Sequence, residues 1–250
     1  MNIDELRKTV AIVAAGKGGV GKTTHAVKLA EWYRRKGLRP VCFNADAFNT
    51  GLALDSYPAL QAKRLELIRN GEIVKDGFHQ MLESFATDTG PWVIDIGSNT
   101  YRQVVSYAKE MGLPDVLDGL GLHVLLHAIV AGGNMTADCV ESVDYLAAAL
   151  PWPFVLVLNE YDGEASVGAI PYLESAQFIR LAADARIAGI VRTGALTELR
   201  RSTLERTKDL RMTDEEIKHS DLPLADRIVL ESWSRPFFSG LDSMIAAAGA

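Results

Sequence analysis

Gly16-Lys17-Gly18-Gly19-Val20-Gly21-Lys22-Thr23-Thr24 follows an apolar, β-branched run, Thr9-Val10-Ala11-Ile12-Val13-Ala14-Ala15. It precedes a helical pattern from Thr24 to Lys36 that Gly37 closes. Strand, glycine-rich loop and helix in that order are the context in which a GxxxxGK[ST] string binds phosphate. The glycines at 16, 18, 19 and 21 let successive backbone N–H groups turn inward around an anion. The helix N-terminus, at Thr23 and Thr24, adds partial positive charge. Lys22 then reaches the β- and γ-phosphates, and the Thr23 hydroxyl completes a Mg²⁺ shell. Lys17, directly after the first glycine, is not needed to cradle phosphates, because Lys22 already does so.

Outward from this loop, the rest of the chain reads as alternating apolar strands and amphipathic helices. Pro40–Ala45 is a strand running into Asp46-Ala47-Phe48-Asn49-Thr50-Gly51. A carboxylate at Asp46 suits orientation of an attacking water, because it accepts hydrogen bonds from the nucleophile. Pro91-Trp92-Val93-Ile94-Asp95-Ile96-Gly97 is an apolar strand carrying an acid near its end, the Walker B pattern. Asp95 is expected to hold Mg²⁺, through a water, opposite Thr23. Residues 122–130 and 153–160 are buried central strands, the second ending at Asn159, and 188–192 is the last strand. His123 and His127, four apart on one strand with no third ligand in sight, read as satisfied strand histidines. Residues 62–68 suggest a short strand. Phe78–Ala86 and Tyr101–Met111 read as helices, and a further helix begins near Met135 or Thr136. Leu222–Trp233 and Phe237–Ala248 read as two helices broken near Arg235-Pro236. Residues 1–8 read as a loose polar lead-in, and the cations at 34–36 as a surface helix end. The pattern predicts a single α/β domain, a mostly parallel sheet with helices on both faces.

Composition narrows the function classes. The 250 residues carry 26 basic and 32 acidic side chains, a net charge of −6 that argues against nucleic-acid binding by the whole surface. Cys42 and Cys139 lie in apolar runs and give no metal or disulfide spacing. There is no leader pattern and no apolar run of membrane-spanning length, so a cytoplasmic location is expected. The local basic cluster is Arg192, Arg200, Arg201, Arg206, Lys208 and Arg211, interleaved with Glu198, Glu205 and Asp209.

The loop, with its early lysine, resembles the deviant Walker A of the ParA/MinD family of P-loop ATPases. The resemblance implies that Lys17 crosses to the nucleotide of a partner subunit in an ATP-sandwich homodimer. It implies a D-x-D switch after the second strand, whose first acid is replaced here by Asn44. Asp46 keeps the second, water-positioning place. Prolines usual after the Walker B acid are replaced by Ser98-Asn99-Thr100. It also implies that Asn159 reads the adenine edge, since an amide donates and accepts at once. In ParA-like proteins, a region comparable to the basic cluster helps hold non-specific DNA. The long N-terminal DNA-binding extension of many partition ParA proteins has no room before the first strand. The tail Leu241–Ala248 lacks the basic residues of a MinD-like membrane helix, so no membrane attachment is expected. His127-Ala128-Ile129-Val130-Ala131-Gly132-Gly133, Leu158-Asn159 and Arg235-Pro236-Phe237-Phe238 are similar to TraL-like conjugal-transfer proteins. What this implies is a Mg²⁺-dependent ATPase and molecular switch, with a protein partner in DNA transfer or partition. Two other readings fit the same loop. One is a metabolic enzyme of the dethiobiotin-synthetase type, with a small-molecule pocket beside the γ-phosphate. The other is a non-hydrolysing nucleotide-gated scaffold, favoured by Asn44 and the altered segment after Asp95.

Overall fold

The computed structural model describes residues 1–46, 53–184 and 186–248, the last four as backbone. The switch residues 47–51 and the side chains of 245–248 therefore lie outside the described residues. The elements run α1 (Ile3–Arg7), β1 (Thr9–Ala14), α2 (Lys22–Arg35), β2 (Val41–Ala45) and β3 (Lys63–Arg64). A small hairpin, β4 (Ile68–Arg69) and β5 (Glu72–Ile73), leads to α3 (Lys75–Thr87) and β6 (Trp92–Ile96). Then come α4 (Tyr101–Glu110), α5 (Leu113–Gly119), β7 (His123–Ala131), α6 (Thr136–Ala149) and β8 (Phe154–Asn159). A second hairpin, β9 (Ser166–Val167) and β10 (Ile170–Pro171), precedes α7 (Ala176–Ala183) and β11 (Ile187–Thr193). The chain ends with α8 (Glu198–Thr207), α9 (Asp214–Lys218) and α10 (Leu224–Ala248).

The central sheet has seven strands in the order β11-β8-β7-β1-β6-β2-β3. Every pairing in it is parallel. Strands β1, β6, β7 and β8 bury nearly every residue, as continuous apolar runs covered on both faces must. The strands β2, β3 and β6 lie on one side of β1, and β7, β8 and β11 on the other. The strand order thus divides at β1, and the glycine loop leaves the sheet at that switch point, where α/β ligand sites form. Cys42 and Cys139 are both buried free thiols.

Four sequence readings are corrected. Residues 1–8 are not a loose lead-in. The Asn2 side chain accepts from the Asp4 and Glu5 N–H groups, and Glu5 Oε2 accepts from Asn2 N at 2.7 Å, a reciprocal cap for α1. The run 62–68 is not one strand, because only Lys63–Arg64 joins the sheet and Ile68 belongs to the small hairpin. The last helix is not broken at Pro236. Proline in a helix interior costs ~3 kcal/mol. Leu230, Trp233, Phe237, Leu241 and Met244 are all buried along one stripe that spans it. Each such side chain contributes ~1.5–3 kcal/mol, so burial wins. Nor is the end of α2 a plain surface. Trp32 Nε1 donates to Asp242 at 2.9 Å, Lys36 pairs with the same carboxylate at 2.7 Å, and Arg35 lies 3.8 Å above the Phe238 ring. One turn earlier, buried Lys28 donates to Asp214 at 3.0 Å and to Ser234 at 2.6 Å. Helix α2 is thus tied along its length to α9 and α10.

The two strand histidines have different fates. His123 is exposed at the start of β7, whereas His127 is buried and lies 2.9 Å from His25 of α2. Burial lowers both rings, His127 to about 3. The folded state therefore binds fewer protons than the unfolded chain. The stability this pair supports is full above the ordinary histidine value of about 6.5 and is lost as pH falls below it. Replacing both with leucine should give a variant that gains on wild type as metal-free samples are taken from about pH 7 to 5. Urea midpoints measure this, and a pH-independent gap would show that the rings do not titrate on unfolding.

Candidate functional site

The loop between β1 and α2 closes around its own glycines. Gly21 holds φ +89°, and a Cβ there would lie 2.8 Å from Asn159 Nδ2, so position 21 has neither the backbone nor the space for a side chain. Gly21 is also the N-cap of α2 and supplies no side-chain cap, so no cap side chain takes up the first-turn N–H groups. Gly18, Gly19, Gly21, Lys22, Thr23 and Thr24 line a cleft of about 430 Å³ at this end of the sheet. Asp46, Ser98, Asn99 and Tyr161 complete its lining. Gly16 packs away from the cleft against Ser142 and Tyr101, and Val20 is buried beneath the loop. Lys22 is nearly buried, its Nζ 3.5 Å from the Lys17 carbonyl oxygen.

Thr23 and Asp95, expected to stand opposite one another, are in direct contact. Thr23 Oγ1 donates to Asp95 Oδ2 at 2.6 Å. Burial pushes the Asp95 carboxyl up to about 6; the Thr23 hydrogen bond and the Lys22 charge pull it back, and Asp46 raises it. Its other oxygen, Oδ1, is buried with no partner among the described residues. An orphaned carboxylate oxygen beside a hydroxyl, with Lys22 and Asp46 nearby, is a hard-oxygen donor set that fits Mg²⁺ retaining some of its waters. Thr23 and Asp95 are the residues that would hold it.

Asn44 and Asp46 form a relay at the end of β2. Asn44 pairs in the sheet with Asp95. Its Nδ2 donates to Asp55 Oδ1 at 2.6 Å while its Oδ1 accepts from Asp46 N at 3.1 Å. Aspartate at position 44 would face Asp55 with nothing to donate, so the amide avoids setting two like charges against each other. The Asp46 carboxylate reaches Gly97 directly after β6, where a Cβ would come within 2.6 Å of Oδ1. Nothing in the sequence reading pointed to Asp55.

Lys17 points to α6, where its Nζ lies 2.8 Å from Asp138 Oδ2, both side chains about half exposed. Asn159 is 6% exposed. Its Nδ2 donates to the Val20 carbonyl at 2.8 Å and its Oδ1 accepts from Thr193 Oγ1 at 2.9 Å. The amide is therefore tied to the loop. The basic cluster is closely compensated. Arg192 sits on Glu160, Arg201 on Asp162, Arg206 on Asp226, Lys208 on Glu205 and Arg211 on Asp209. Arg200 donates to the Ala195 carbonyl at 3.0 Å. A nucleic-acid backbone would have to displace these carboxylates before gaining from the cations. Among the described residues no helix is long and apolar enough to cross a membrane.

Residues 11–193 match the family model described as CobQ/CobB/MinD/ParA nucleotide binding domain. Protein TraL of Escherichia coli is 28% identical over 238 residues, 94% of this chain and 97% of that protein. A second Escherichia coli Protein TraL is 27% identical over the same span. Among solved structures, the MinD cell division protein of Aquifex aeolicus is 15% identical, with a TM-score of 0.44 over 89% of this chain and 94% of that one.

Proposed function

The chain belongs to the CobQ/CobB/MinD/ParA family of nucleotide-binding domains, and from that premise we propose that it is a Mg²⁺-dependent, slowly hydrolysing ATPase that dimerises on ATP. The observation that carries the reading is the Thr23–Asp95 contact at 2.6 Å, with the second Asp95 oxygen left buried and unpartnered. That pair supports a hydrated metal between the loop and the Walker B strand. Lys22 binds the β- and γ-phosphates, Asp46 orients the attacking water, and Lys17 completes the site of the second subunit. The ATP dimer presents a surface to a protein partner, and the similarity to TraL supports a role in plasmid conjugal transfer or DNA partition. Cytoplasmic placement goes with that role. Non-specific DNA contact through Arg192–Arg211 is a subsidiary part of the proposal, given the local charge balance.

Light scattering tests this directly. Wild type and Asp46→Ala are measured with no nucleotide, with ADP, and with ATP and Mg²⁺. Of these conditions only ATP with Mg²⁺ should double the mass of Asp46→Ala, which then stays doubled because the water is no longer oriented. A mass that never responds, although ATP binds, overturns the switch and brings the metabolic-enzyme reading forward.

A further inference from the structure

Asn44 lies fully buried in β2, beside Asp95 in the sheet, and its amide joins two acids. Nδ2 donates to Asp55 Oδ1 at 2.6 Å, and Oδ1 accepts from the Asp46 N–H at 3.1 Å. These partners allow the amide one sense. A carboxylate only accepts and a backbone N–H only donates, so an amide turned end for end would set donor against donor and acceptor against acceptor. Asp55 itself is exposed, yet its place is set. It belongs to the short turn Leu54–Ser56, where Leu54 is buried and Ser56 Oγ donates to the Ala53 carbonyl at 2.6 Å. The other end of the relay opens on the phosphate cleft. Asp46 lines that cleft, with its Oδ1 against Gly97 directly after β6. Asp55 is not among the residues that line it.

Resting on the water-orienting reading of Asp46, we propose that Asp55 is a positioning residue for hydrolysis: its carboxylate sets the sense of the Asn44 amide, and that amide holds Asp46 where it meets the attacking water. Asp55 acts at one remove. The N–H that Asn44 accepts belongs to the residue whose carboxylate orients the water. Pinning it fixes the peptide plane as the chain leaves β2, and with it the direction of the Asp46 side chain. Without Asp55 the amide gains a second sense, in which Nδ2 faces the Asp46 N–H and the hold is lost. Asparagine at position 44 is then not a vacated acid. Against the D-x-D pattern, the pair moves the carboxylate from 44 to 55, one side chain further from Asp95. The hydrogen bond to Asp46 N is kept, and the buried Asp95 is spared a second negative charge beside it.

Single-turnover hydrolysis and ATP affinity, measured on the full chain with saturating Mg²⁺, test this. Asp55→Ala should slow hydrolysis about tenfold and leave the ATP Kd within about twofold, because orientation and not binding is lost. In an Asp46→Ala background the same substitution should cost nothing further, since a residue that works through Asp46 has nothing left to position. Asn44→Asp alone sets two carboxylates face to face and should also be slow. Asn44→Asp combined with Asp55→Asn reverses the pair. The amide at 55 then donates, and the carboxylate at 44 accepts both from it and from the Asp46 N–H. That exchange should return most of the rate. The proposal is overturned if Asp55→Ala slows hydrolysis equally with and without Asp46, if it raises the ATP Kd as far as it slows turnover, or if the reversed pair is no faster than Asn44→Asp alone. Should Asp46→Ala hydrolyse ATP like wild type, the water-orienting reading itself fails. That result is distinct from a slow Asp46→Ala beside an unaffected Asp55→Ala, which overturns the positioning role alone.

Discussion

Lys17→Ala lowers single-turnover ATP hydrolysis about 10³-fold, the lower end for a charge delivered to a phosphoryl-transfer site in trans, and leaves ATP affinity within a few-fold. The separation of the two effects follows from where the two lysines stand. Lys22 is nearly buried at the start of α2 and lines the phosphate cleft. Lys17 is turned out of the cleft onto Asp138 at 2.8 Å. An ion pair so exposed contributes little, so an approaching nucleotide can draw the lysine off. A lysine acting on its own subunit's phosphates would raise the Kd for ATP instead. Mixing makes the test sharper. A Lys17→Ala subunit keeps its Asp46, and an Asp46→Ala subunit keeps its Lys17. Their mixed dimer therefore contains one complete site. Hydrolysis should return on mixing two inactive proteins, and no return would mean that Lys17 does not work across the interface.

The parts of this site that the sequence made legible are those whose signal is local. Gly16–Thr24 is a contiguous string between a β-branched run and a helical period. Asp95 closes an apolar strand, and Thr23 was expected opposite it. Their contact spans 72 positions, yet each end announces itself. The sheet was legible for the same reason, because continuous apolar runs in a βα alternation leave little choice but a parallel sheet with both faces covered. What stayed hidden lies in pairings with no local trace. Asn44 reads as a lost acid until Asp55 is found accepting from its amide. His127 reads as a satisfied strand histidine, but its partner, His25, comes from α2 and has no local trace. Asn159 reads as a strand-end amide, and its bonds to Val20 and Thr193 leave no trace in the local sequence. Pro236 misled in the opposite sense, because a strong local signal was overridden by a buried stripe that only tertiary packing reveals. The cap of α1 was readable from Asn2 and Glu5, three apart, but five helical residues give almost no period to notice.

Asp95→Asn stabilises the metal-free protein while abolishing Mg²⁺-dependent hydrolysis. The buried carboxyl holds its proton up to about pH 6 in the folded state, against 3.8 when exposed. Above that pH, folding must bury a charge, and Thr23 and Lys22 offset only part of the cost. Two pK units correspond to ~3 kcal/mol, the ceiling for what asparagine can recover. Asparagine still accepts from Thr23 Oγ1, and its amide replaces the orphaned oxygen with a neutral group, which is cheaper to desolvate than a charge. The gain should be full above about pH 6, shrink through the window down to about 4, and vanish where both states of the wild type are protonated. Urea unfolding in EDTA across that range measures it. A variant less stable than wild type at neutral pH would mean that the carboxylate is already well held without metal. The expected result says the reverse. The fold carries a buried, only partly compensated acid near the end of β6, and the cation that would relieve it would also serve phosphoryl transfer. Metal binding should then raise the wild-type midpoint and leave that of Asp95→Asn where it was.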